Sequence, residues 1–105
     1  MTTAVIVTRD QTYSRRCQPA FHEAGFFPVV VRTVHRAVAV LEEFEVRAVV
    51  FEQTAETGNG EAERLLSHAA AGAALLTYTE LPPPRMLVAV LRETLQRGAV
   101  TGAER

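Results

Sequence analysis

The sequence predicts an α/β protein, a three-layer α/β/α sandwich with a parallel sheet between two layers of helices. Two observations carry this. Apolar runs of strand length, rich in Val and Ile, recur as "TAVIVTRD", "FFPVVVRT", "RAVVFEQ" and "AALLTYTE". Between them, apolar residues repeat at helical spacing, giving the order βαβαβαβα. Strands alternating with helices require right-handed crossovers, which lay helices on both faces of a parallel sheet. The 105 residues suffice for one domain with one core. That domain is expected over residues 1–97, with a flexible tail, "GAVTGAER", over 98–105.

Each element has its own justification. The first strand ends at Asp10, a residue able to cap the helix that follows. From Ser14 to Ala24, Cys17, Phe21 and Ala24 fall at i, i+4 and i+7, one face of a helix. Pro19 lies inside that span. It lacks a donor and crowds the preceding turn, so a kink is expected, or a helix that starts near Pro19. Gly25 ends it. In "FFPVVVRT", Pro28 is tolerable at a strand start or on a sheet edge. Phe26 and Phe27 are adjacent at a turn and do not both enter one core, so one is expected to be exposed.

"VHRAVAVLEEF" is the second helix, with Val34, Ala37, Val38, Leu41 and Phe44 on one stripe. "RAVVFEQ" is the third strand and "TAETGNG" a loop. "EAERLLSHAAA" is the third helix, stopped by Gly72. "AALLTYTE" is the fourth strand. "LPPP" places a proline at the start of the fourth helix, Arg85 to Arg97, with Met86, Val90 and Leu91 among its core residues.

Composition narrows the function. A net charge of -1 gives no electrostatic footprint for nucleic acid or anionic membrane. No apolar run approaches the roughly 20 residues of a spanning helix. The opening "MTTAVIVTRD" has no basic region typical of a leader, so a cytoplasmic protein is expected. All 11 basic residues are Arg; without Lys there is no P-loop lysine, Schiff base or lysine phosphate clamp. Asp10 is the one Asp. Cys17, the sole cysteine, permits no internal disulfide and reads as a buried core thiol. His22, His35 and His68 fall on three different helices, so neither a metal site nor a cofactor is expected. Arg9, Arg15 and Arg16 form a small basic cluster, either a solvated face or a docking patch for an acidic partner.

The stretch "RAVVFEQT" points to a site. A buried parallel strand there delivers Glu52 to the carboxyl end of the sheet, where α/β proteins keep their chemistry. Leu76 and Tyr78 lie in the fourth strand, "AALLTYT", an expected sheet edge that is apolar and uncharged until Glu80. An edge of that kind invites pairing with another chain. With Arg15, Arg16, Phe26 and Phe27, these two make up the candidate interaction residues.

The chain resembles the receiver domains of bacterial response regulators. Those open with a strand ending in acids, where this chain has Thr8, Arg9 and Asp10, followed by Cys17, Phe21 and Gly25 in the matching places. The family's Ala-Leu pair corresponds to Ala37 and Val38, its phosphorylated aspartate to Glu52, and a Gly opening the third helix to Gly60. "ELPPPRMLVAVLRETL" looks like the family's Lys-Pro segment and final helix, with Glu80 where the lysine stands. Thr77 or Thr79 matches the switch Thr/Ser. Between Gly60 and Glu80 the chain is short by one helix–strand unit, roughly 20 residues.

The resemblance implies a flavodoxin-like fold with four strands in the order 2-1-3-4. In the family the acids hold Mg²⁺ and the lysine reads the phosphoryl group. At the positions of that site, Thr8, Arg9, Asp10, Glu52, Thr79 and Glu80, this chain keeps one acid of the opening group and no lysine. The expectation is therefore a phosphorylation-independent pseudo-receiver, not an enzyme. It would serve as a protein–protein interaction module in bacterial two-component signalling, a homodimer with an unidentified protein partner. Arg9 would pair with Glu52 or Glu80 and close the pocket. Two alternatives stand beside it: a receiver still switched by phosphoryl or small-ligand binding, and a small α/β ligand-binding protein or enzyme sharing only the fold.

Overall fold

The structure, a computed structural model, describes residues 2–53 and 60–104, with side chains described as far as residue 97. In chain order the elements are β1 (Thr2–Val7), α1 (Gln11–Glu23), β2 (Phe26–Val31), α2 (Val34–Glu43), β3 (Ala48–Glu52), α3 (Glu61–Ala69), β4 (Ala74–Tyr78) and α4 (Pro84–Glu104). The strands form one parallel sheet in the order β2-β1-β3-β4. This is the arrangement of a flavodoxin-like fold. Among the described residues no helix is long and apolar enough to cross a membrane.

The two central strands explain their own composition. Ala4–Val7 and Ala48–Phe51 are buried on both faces, which is why they read as continuous apolar runs. Alternate residues serve opposite layers. Ala4, Ile6, Ala48 and Val50 meet Cys17 and Phe21 of α1 and Leu87 and Leu91 of α4. Val5, Val7, Val49 and Phe51 meet Ala37 of α2 and Ala62 and Leu66 of α3.

Three expectations are corrected. α1 does not start near Pro19 or at Ser14; it runs from Gln11 with Pro19 inside it. Asp10 caps it, its Oδ1 accepting the Tyr13 N–H at 3.0 Å. Pro19 is on the exposed side, where water can serve the carbonyl it leaves unmatched. In α4, Met86 and Val90 are not core: they are 60% and 36% exposed, while Leu87, Val88 and Leu91 are buried. The run "MLVAVL" is apolar all round, so spacing alone does not fix its phase; Leu87, Leu91 and the half-buried Leu95 set it. Phe44 leaves the α2 stripe, because α2 ends at Glu43 and Phe44 is extended (φ -125°, ψ 151°) and exposed.

The pair "FF" divides as expected. Phe26 is buried against Phe21, ring centroids 5.9 Å apart. Phe27 is exposed and meets only the edge of His22 among the described rings. α4 continues past Arg97, where the sequence places the start of a tail.

Candidate functional site at the carboxyl end of β1 and β3

The chain leaves β1 toward β2 and leaves β3 toward β4, in opposite directions across the sheet. The carboxyl ends of these neighbouring strands form the topological switch point, where open α/β sheets bind ligands. Thr8 follows β1 and Glu52 ends β3. Their strand parity puts both side chains on the α1–α4 side, with Ile6 and Val50.

Thr8 is buried, and its hydroxyl is used twice. Oγ1 donates to Glu52 Oε1 at 2.8 Å and accepts the Asp10 N–H at 3.1 Å. Its own N–H donates to the Val31 carbonyl at 2.9 Å. Glu52 is half-buried, and the next residue keeps the ladder going, the Gln53 N–H donating to the Tyr78 carbonyl at 2.7 Å. A side-chain hydroxyl therefore holds the carboxylate at the switch point.

That arrangement corrects the expected ion pair. Among the described residues no ion pair joins Arg9 to Glu52 or Glu80; Arg9 is exposed and keeps a contact of its own. Asp10 does not present its carboxylate to the switch point either, because that group caps α1. Thr79 and Glu80 lie beyond β4 and are exposed; Thr77, inside β4 beside Phe51, has the parity of the α2–α3 face.

Tyr13 belongs to the site and escapes the sequence reading. It is buried on the first turn of α1, and its hydroxyl donates to the Pro82 carbonyl at 2.5 Å. Burial, and then Cys17 beside it, hold its hydroxyl pKa well above the usual tyrosine value, with smaller contributions from Glu52 and Tyr78. Cys17 is fully buried; burial pushes its thiol from 9.0 up to about 11, against a partial pull downward from Tyr13 and Arg16. The available signal was the i, i+4, i+8 run of Tyr13, Cys17 and Phe21 on one helix face.

The candidate interaction residues do not form one surface. Phe26 and Phe27 are in β2, and Leu76 and Tyr78 are in β4, at opposite edges of the sheet. Arg15 and Arg16 are exposed on α1. His22, His35 and His68 stay on separate helices, and among the described residues no three His, Cys, Asp or Glu side chains converge. Of the expected loop "TAETGNG", residues 54–59 lie outside the described residues; Gly60, with φ 78°, is the N-cap of α3.

Chemically, the described part of the site offers one carboxylate, a hydroxyl that already donates to it, and an arginine on the neighbouring residue. Mg²⁺ favours several hard oxygen ligands in octahedral array, and this donor set is a poor match for it. No family model matches the chain, and no curated protein matches it.

Proposed function

We propose that the chain is a phosphorylation-independent pseudo-receiver, a protein–protein interaction module of bacterial signal transduction. The observation that carries this reading is the Thr8–Glu52 hydrogen bond at the switch point. A carboxylate stands where receivers take a phosphoryl group, yet its first neighbour is a donor rather than a second acid. The layout supports the same reading. The strand order corresponds to the first four strands of the 2-1-3-4-5 order, and α4 returns to pack beside α1.

The test is direct. The full chain is incubated with Mg²⁺ and acetyl phosphate and weighed intact, and its melting is followed with beryllofluoride as a phosphoryl mimic. The expected result is an unchanged mass and an unchanged melting temperature. A phosphoryl group on Glu52, or stabilisation by the mimic, overturns the proposal in favour of a working switch.

The two sheet edges support self-association through β4. Gly25 and Val31 turn their carbonyls toward β1, so the alternate residues Phe26, Pro28 and Val30 turn their backbone outward. Pro28 has no N–H, which blunts the β2 edge. On β4, the Ala74 N–H and the Tyr78 carbonyl face inward, leaving Leu75 and Thr77 facing outward with no proline or charge between them. A dimer mass is expected by sedimentation at high micromolar concentration, and a monomer mass for Thr77→Pro. A monomeric wild type at that concentration removes self-association from the proposal.

A further inference from the structure

The near-zero net charge conceals a segregation. As far as residue 97, α1 and α4 carry five arginines against Glu23 and Glu93, whereas α2 and α3 carry four glutamates against Arg36 and Arg64. The basic pair of helices lies side by side on one face of the sheet. Between them runs a groove of about 320 Å³, at the small end of ligand-site volumes. That size suits a short segment rather than a folded domain.

The groove has an apolar floor and cationic walls. α1 lends Arg16, Pro19 and Ala20; the start of α4 lends Pro83, Pro84 and Arg85. The prolines have fixed φ and present no N–H, so the floor is stiff and without backbone donors. Tyr13 donates to the Pro82 carbonyl and ties that segment to α1. Arg16 and Arg85 are exposed, and among the described residues neither has an ion-pair partner. Further along α4, Arg92 donates to the Ala24 carbonyl at 3.3 Å and ties the two helices together. Glu23 also lines the groove, but it sits two turns along α1 from Arg16, about 10 Å by helix rise.

We infer that this groove takes an extended acidic peptide segment of a partner protein. Carboxylates of the segment meet the guanidinium groups of Arg16 and Arg85, whose planar forks suit bidentate pairing. An apolar residue between them lies on Pro19, Ala20, Pro83 and Pro84. Because the floor is already held in place, the ordering that opposes binding is confined to the peptide and the two arginine side chains. The inference rests on the reading of the chain as an interaction module and names the chemistry of its partner. It does not involve the carboxylate at Glu52, so the phosphoryl test and this one can fail independently.

The experiment uses the full chain and a fluorescent peptide of alternating Glu and Leu, with a Gln-for-Glu counterpart. Affinity is read by anisotropy and location by amide NMR shifts. Binding is expected with shifts confined to α1 and the start of α4, weakening as salt rises. Arg16→Glu and Arg85→Glu each lower the affinity about tenfold or more. Both sites are exposed, and an unchanged melting temperature confirms that each variant folds. Arg36→Glu, on α2, leaves affinity unchanged. Equal binding of the Gln peptide, an equal loss in Arg36→Glu, or no groove shifts at millimolar peptide overturns the inference. So do groove shifts that grow with protein concentration alone, which assign the groove to the acidic α2–α3 face of a second copy.

Discussion

The layer of α1 and α4 and the layer of α2 and α3 cover the same sheet with different materials. The first buries Phe21, Leu87, Leu91, Cys17 and Tyr13. The second buries Ala37, Ala62 and Ala70, with Leu66 as its one large fully buried helical side chain, and leaves Phe44 and Leu65 60% and 47% exposed. Small residues let helices approach the sheet closely but remove less apolar area from water, at about 25 cal/mol per Å². Two side-chain hydrogen bonds that tie these helices to distant segments, Tyr13 to Pro82 and Arg92 to Ala24, also fall in the first layer. The layer of α1 and α4 thus buries the larger helical side chains and is expected to carry more of the stability, and the basic groove lies between its two helices.

The strongest way to break this comparison is to truncate one buried side chain in each layer. Phe21→Ala is expected to cost about 3–5 kcal/mol, and Leu66→Ala about 2–3 kcal/mol, the low end for Leu because its neighbours are small and can close in. Set against a typical stability of about 5–15 kcal/mol, the first change leaves a marginal protein. Urea unfolding reads both. Equal costs, or a larger cost at Leu66, would mean that the layers share the load.

Where the first layer meets the sheet's end, the expected effect is smaller. Thr8→Val keeps the shape and removes the hydroxyl. Glu52 then loses its donor and the Asp10 N–H loses its acceptor, at a cost of about 1–2 kcal/mol. Urea unfolding checks this too; unchanged stability would mean that water serves both groups and that the bond is not what holds Glu52.

Much of the fold was legible because the strands announce themselves. Each carries an apolar run of three residues or more, and "RAVVFEQ" correctly places Glu52 at a strand's carboxyl end. The phase of α4 was not legible, since six consecutive apolar residues favour no face. At α1, the rule against proline outweighed the Asp10 cap, although Pro19 lies on the exposed side, where water can serve the carbonyl it leaves unmatched. In the site, charge suggested Arg9 for Glu52 and geometry supplied Thr8. The two partners are 44 residues apart, and only the register of β1 with β3 shows that Thr8, not its neighbour, shares the face of Glu52. Tyr13 was hidden for a similar reason: its acceptor, Pro82, lies 69 residues away.

Near neutral pH the remaining effect is the smallest, and it grows only in alkali, where it separates the layers without a large change in packing. The chain has no lysine, and the two side chains whose protons burial holds more tightly, Cys17 and Tyr13, are both on the α1–α4 side. The unfolded chain releases the Cys17 proton near 9.0, while the folded chain holds it to about 11. Above pH 9 the unfolded state therefore binds fewer protons than the folded state, and stability falls as pH rises. The contribution is whole below about pH 9 and is lost as pH climbs toward 11. Tyr13, raised from its ordinary 10.0, acts in the same direction at higher pH. Melting temperatures are expected to be flat from about pH 7 to 8.5 and to decline from about pH 9 upward. The decline is expected to be shallower in Cys17→Ala. An equally steep decline in that variant would assign the alkaline sensitivity to Tyr13, and a curve flat to pH 11 would mean that the thiol reaches water in the folded chain.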